Sequence, residues 1–207
     1  MMTNKDFFVT IPMLPPEKLE ELNYVKEGKP DGVKSRKVSF PSLAMIEWNA
    51  QKDDDIRIIA VMTDDVNGFS VKNLEKFKRE LSELSDDIGI ELSVEEIVHV
   101  PHTESKEKHN KLFKELCALF KNGRDIYMEL TYGTKVTPIG LFSSLTYADK
   151  VCGCDIKSII YGNYAFNDSK IGSIYDIRSM YDFSMFIHSA EFLTKENLDI
   201  VLNNIWG

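Results

Sequence analysis

Five strand-length apolar runs, separated by amphipathic stretches of helical period, leave this chain few folds to choose from. The runs are Phe7–Ile11, Asp55–Thr63, Val94–Val100, Ile126–Leu130 and Asp155–Tyr161. Asp55–Thr63 is apolar almost throughout, as strands covered on both faces are. Between the runs, Ser39–Ala50 sets Leu43, Ile46 and Ala50 on one face, with Ser39 placed to cap and Pro41 in the first turn. Ser70–Leu84 aligns Leu74, Phe77, Leu81 and Leu84, and Thr103–Lys121 aligns Leu112, Phe113, Leu116, Leu119 and Phe120. Thr137–Asp149 is a further helix. This alternation predicts an α/β, Rossmann-like parallel sheet of five or six strands with right-handed crossovers and helices on both faces. Ile174–Ile177 supplies a short extended piece. Residues 14–37 read as a charged loop with at most a short helix around Glu17–Leu22. Residues 1–177 would form the domain, and 178–207 a C-terminal helical extension with helices at Ser179–Leu193 and Lys195–Asn204. In the first of these Met180, Phe183, Ile187 and Ala190 make one apolar stripe, with Met185, Phe186 and Phe192 spreading beyond it toward a core or a partner.

A chain of 207 residues with 43% hydrophobic content can bury a single core. Its formal charge of −8 argues against a surface that tracks long nucleic acid, yet a small anion needs only local amides and cations. Cations cluster at Lys34-Ser35-Arg36-Lys37, which reads first as a solvated loop, and at Lys135. Three cysteines and four histidines show neither a disulfide framework nor zinc spacing, so no metal is expected and reducing cytoplasm is the natural home. No leader and no membrane span is legible. Neither Gly-x-Gly-x-x-Gly nor a P-loop is present, and no cofactor is expected.

The stretch most suited to a ligand joins the fourth strand to its helix: Leu130-Thr131-Tyr132-Gly133-Thr134-Lys135-Val136-Thr137-Pro138. Small hydroxylated residues and a glycine let backbone amides converge on an anion, the helix start adds partial positive charge, and Lys135 adds a full one. In parallel sheets ligands sit beyond the carboxyl ends of the strands, near the switch in strand order. Thr10-Ile11-Pro12, Thr63-Asp64-Asp65, Thr131–Lys135 and Tyr161-Gly162-Asn163 all fall at those ends.

The strand-Thr-x-Gly-Thr-Lys-helix pattern resembles the CARF domains, the CRISPR-associated Rossmann-fold sensors of type III systems. Tyr161-Gly162 ending the fifth strand, the extended Ile174–Ile177 and the helical Ser39–Ala50 extend the resemblance over most of the chain. It departs from the pattern at Tyr132, where many members have glycine, and in the stiff, apolar Pro12-Met13-Leu14-Pro15 loop. The resemblance implies a homodimer with a two-fold pocket for cyclic oligoadenylate, cyclic tetra-adenylate in first place. Thr131, Gly133, Thr134 and Lys135 would hold phosphates and ribose, and Thr10, Ile11 and Pro12 would line the pocket. A two-fold dimer matches the symmetry of such a ring, and Met13, Tyr132 or Tyr161 would supply walls for adenine.

Some members of that family also cleave the ring without metal, giving a 2′,3′-cyclic phosphate. There Lys135 would stabilise the phosphorane, and Thr10 or Thr134 would orient the attacking hydroxyl. His99 and His102 read as structural or solvent-facing, and no general base stands out. No effector is legible: Arg178 and His188 are too far apart for a HEPN ribonuclease motif, and Asp155-Ile156-Lys157 lacks upstream carboxylates. The chain would be a stand-alone sensor or one cut before its effector. The alternatives are a nucleotide or sugar-phosphate enzyme on the same sheet, using Asp64 or Asp65 as acid or base, and an interaction subunit working through its Met- and Phe-rich C-terminal region.

Overall fold

The computed structural model describes residues 2–27, 34–163 and 170–189, together with 194, 197, 198 and 200. Its centre is one eight-stranded sheet. The strands are β1 (Asn4–Ile11), β2 (Leu22–Lys26), β3 (Lys37–Val38), β4 (Asp55–Asp64), β5 (Val94–Pro101), β6 (Asp125–Glu129), β7 (Asp155–Asn163) and β8 (Ile171–Asp176). The helices are α1 (Pro41–Asn49), α2 (Phe69–Ile88), α3 (Lys106–Leu119), α4 (Val136–Lys150) and α5 (Arg178–Ser189). Spatial order is β3-β2-β8-β7-β6-β1-β4-β5. The five expected strands form the parallel block β7-β6-β1-β4-β5, with the switch in order between β1 and β6.

The strand count exceeds the expected five or six, and the sheet is mixed rather than wholly parallel. β8 runs antiparallel to β7, β2 pairs parallel with β8, and β3 pairs antiparallel with β2. The region expected to be a loop therefore contains two strands, and the helix expected around Glu17–Leu22 is only a 3-10 turn at Pro16–Lys18. The missed signal is the alternation Leu22-x-Tyr24, whose side chains are buried while their neighbours reach solvent. Tyr24 is fully buried, lying across Gly172 of β8. Arg36, read as part of a solvated loop, forms a 2.5 Å ion pair with Asp87.

Strand alternation sorts the core into two layers. Phe7, Val9 and Ile11 of β1 join Ile58, Ala60 and Met62 of β4 beneath α1 and α2. Phe8, Ile59 and Val61 face the other way, toward α3, α4 and α5. Helix starts differ slightly from expectation. Phe40, not Ser39, is the residue before α1, with Pro41 in the first turn, and the Ser39 amide donates instead to Glu80 at 2.8 Å. Ser105 caps α3, accepting from the Lys108 amide at 3.3 Å. In α5, Tyr181 and Met185 pack inward, whereas Met180, expected in the apolar stripe, is 63% exposed. Tyr181 fixes that rotation: its hydroxyl donates to Asp149 at 3.1 Å and lies 3.3 Å from the Leu145 carbonyl. Of the expected helix at Lys195–Asn204 only residues 197, 198 and 200 are described, and these are helical, while the end of the helix before it lies outside the described residues. Among the described residues no helix is long and apolar enough to cross a membrane.

A buried ionic network closes the amino end of the sheet. Asp6, fully buried, accepts from Arg124 Nε at 2.5 Å and from Arg57 at 2.9 Å. Arg124 also reaches Asp55 at 2.5 Å and two backbone carbonyls, while Arg57 reaches Glu95 at 3.0 Å. Beside it, Lys5 pairs with Asp54 at 2.5 Å.

Candidate functional site

The carboxyl ends of β1 and β6 are joined by a carboxylate that the sequence reading passed over. Glu129, the last residue of β6, is completely buried. It accepts from the Thr10 amide at 2.8 Å, the Thr10 hydroxyl at 2.5 Å and the Thr131 amide at 2.5 Å. Thr10 Oγ1 accepts in turn from the Tyr132 amide at 2.9 Å, and Thr131 Oγ1 from the Gly162 amide at 2.9 Å. One chain of hydrogen bonds thus crosses β1, β6 and β7 and fixes the start of the turn at the switch point. Burial pushes the Glu129 carboxyl above the usual carboxylate range, although the hydrogen bonds from Thr10 and Thr131 pull it down.

Two glycines allow this geometry. Gly133 has φ +109°, and a Cβ there would come within 2.8 Å of Thr137 Cβ. Gly162 lies under α1, where a Cβ would sit 2.4 Å from Pro41 Cγ and 3.2 Å from Thr131 Oγ1. Gly162→Ala is therefore expected to push α1 and the turn apart at a cost of about 1–3 kcal/mol, measured by denaturant unfolding.

The expected site residues divide by exposure. Thr10, Ile11, Pro12, Thr63, Tyr132 and Gly162 are buried. Met13, Thr131, Gly133 and Thr134 are half-buried, and Asp64, Lys135, Tyr161 and Asn163 are exposed. The amides and hydroxyls of Thr10 and Thr131 already serve the fold. Among the described residues, by contrast, nothing accepts from the amides of Gly133, Thr134, Lys135 and Val136, and Lys135 has no ion-pair partner. These groups lie where α4 begins. Thr134 and Thr137 hydroxyls lie 3.2 Å apart across the helix start.

The loop after β1 is pinned by Asn73 of α2, which donates to the carbonyls of Pro12 at 2.9 Å and Leu14 at 2.8 Å. Asn73 lies fully buried on the apolar stripe of its helix, and that misplaced polarity was its sequence signal. Asp65 caps α2, accepting from the amides of Ser70 at 2.7 Å, Asn67 at 2.9 Å and Phe69 at 3.1 Å. Burial pushes its carboxyl up, but those amides and the Ser70 hydroxyl outweigh burial and hold it below the usual range. Asp64 instead points outward, its Oδ1 lying 2.8 Å from His99 Nδ1 with both side chains more than half exposed. Among the described residues no group of three His, Cys, Asp or Glu is placed to hold a metal ion.

No family model matches this chain, and no curated protein matches it significantly in sequence.

Proposed function

We propose that the turn between β6 and α4 binds cyclic oligoadenylate, cyclic tetra-adenylate in first place, across the two-fold axis of a homodimer acting as a type III CRISPR sensor domain. The observation that carries this reading is the division of donors. Glu129, Thr10 and Thr131 hold the turn in place, leaving four consecutive amides at a helix start and the exposed Lys135 unclaimed among the described residues. Unclaimed amides at a helix start, beside a lysine, suit a phosphodiester. The ligand donors in this reading are the amides of residues 133–136, the Thr134 hydroxyl and the Lys135 ammonium. Thr10 and Thr131 are scaffold, and Met13 and Tyr161 are the accessible walls for adenine. Ile139 and Tyr147 of α4, Val151 just after it and Met180 of α5 are exposed, apolar surface that suits a second copy of the chain.

If the ring is also cut, the ribose 2′-hydroxyl attacks the adjacent phosphorus and the 5′-oxygen leaves, giving a 2′,3′-cyclic phosphate. Lys135 would stabilise the phosphorane and Thr134 would orient the hydroxyl, since the Thr10 hydroxyl is committed to Glu129.

Thermal shift against cyclic tetra-adenylate, cyclic hexa-adenylate, linear oligoadenylate and ATP tests the reading. Stabilisation by a cyclic species alone is expected. Lys135→Ala should weaken it about 10- to 100-fold, the loss of one charge-assisted hydrogen bond. A monomer in solution, or no response to any cyclic species, sinks it. The exposed Asp64–His99 pair favours a second reading, a nucleotide or sugar-phosphate enzyme with that pair as its acid–base group, and stabilisation by ATP alone would select it.

A further inference from the structure

A separate cleft opens on the α1 face of the sheet, over β6, β7, β8 and the end of β2. Its volume is about 250 Å³, room for on the order of eight waters. Trp48 and Met45 of α1, Tyr127 of β6 and Ile174 of β8 line it. Tyr127 is held in place by stacking on Phe7, with ring centroids 4.7 Å apart and planes 17° from parallel. The walls therefore suit a flat aromatic ring. None of the turn residues 131–135 lines this cleft.

Lys26, Lys157 and Asp176 also line the cleft, and they are not equally engaged. Asp176 accepts from the Ser158 hydroxyl at 3.1 Å and from the Arg178 amide at 3.0 Å. Lys157 is bound to Asp155, with Asp125 at 3.6 Å. Lys26 comes no closer to Asp176 than 3.7 Å, beyond hydrogen-bond reach, and its side chain is half exposed. Its ammonium is the cation of this group with donors to spare. The indole Nε1 of Trp48 is buried without an acceptor among the described residues, so a modest rotation toward a ligand acceptor would relieve a standing cost.

We propose that this cleft binds a flat aromatic anion, an indole- or purine-sized ring with an acidic arm, with the ring against Trp48 and Tyr127 and the acid on Lys26. The cleft shares no lining residue with the turn at the carboxyl ends, so the site is distinct from it and does not rest on its assignment. Calorimetry on the unmodified protein tests it with four probes: indole-3-acetate, adenosine 5′-monophosphate, neutral indole and cationic tryptamine. At least one of the two acids should bind, and the one that does identifies the arm as carboxylate or phosphate. Indole and tryptamine should bind about tenfold more weakly or worse. Lys26→Glu should abolish the preference for acids while leaving the response to cyclic tetra-adenylate unchanged, and Lys26→Gln serves if that variant melts early. Failure of both acids to bind overturns the proposal. So does equal binding of tryptamine, unchanged acid binding in the Lys26 variants, or loss of the cyclic tetra-adenylate response with Lys26.

Discussion

Asp6→Ala should destabilise the protein by about 3–5 kcal/mol, because it strands two guanidinium groups that were placed to share one buried carboxylate. Arg124 and Arg57 approach Asp6 from β-strand ends on either side of β1, and both are about 95% buried. Water cannot replace the lost partner without opening the amino end of the sheet. Burial pushes the Asp6 carboxyl up, and the two arginines offset only part of that. The network is thus a conditional asset: intact it fixes the register of β1 against β4 and β6, and broken it leaves uncompensated charge. Asp6→Asn should cost less than Ala because one acceptor survives. Urea unfolding monitored by circular dichroism separates the two, and equal midpoints for wild type and Asp6→Ala would refute the argument.

Glu129→Leu should carry the next largest penalty and should act on the turn as well as on stability. It leaves the amides of Thr10 and Thr131 without their acceptor, at about 1–3 kcal/mol for each buried donor. Glu129→Gln keeps the volume but offers only one acceptor oxygen to donors that now use both. On the proposed reading of the turn, either change should weaken cyclic oligoadenylate binding by misplacing Gly133–Val136, without removing any of the donors proposed for it. The pH dependence gives an independent readout. The folded-state pKa of Glu129 lies above its ordinary value, so the folded protein keeps a proton that the unfolded chain has released. This residue's share of stability is therefore full below about pH 4.3 and falls as pH rises toward its folded-state value. Asp65, held below the usual range, has the opposite slope, losing its share as pH falls. The difference in melting temperature between wild type and Glu129→Gln should fall as pH rises, because the other titrating groups, Asp65 included, act in both proteins. Parallel curves would show that the carboxyl does not titrate as argued.

How much of this was written in the sequence depends on the range of the interactions. β1, β4, β6 and β7 are largely apolar runs that announce themselves locally, β5 is legible as Val94–Val100 stopped by Pro101, and their alternation with helices makes them a parallel block while leaving their order open. β2 and β3 do not. Leu22–Lys26 is short, half polar and surrounded by charge, and it becomes a strand only because β8 offers an edge to it. That is a tertiary effect with no local trace beyond one alternation. The placement of the turn beyond the carboxyl end of its strand was legible, but its place at the switch in strand order and the division of labour within it were not. Thr10 and Thr131 carry the residue types expected of ligand donors, and only coordinates show their hydroxyls already bonded to Glu129 and Gly162. Glu129 and Asn73 were visible in retrospect as polar residues on apolar stripes, the pattern by which a buried hydrogen-bonding role can be suspected.

The pairing of Asn23 with Ile171 reaches beyond architecture into biosynthesis. During translation the segment bearing Tyr24 emerges early, yet its neighbour in the sheet follows on the order of 150 residues later, and closing so long a loop is entropically costly and slow. Until β8 is made, β2 is a nascent strand with an unsatisfied edge and an uncovered aromatic ring, the kind of surface chaperones and aggregation compete for. Completion of this edge is therefore a late folding event, and a ribosome-stalled chain ending before Ile171 should leave β2 protease-sensitive while the β1–β4–β5 block is already protected.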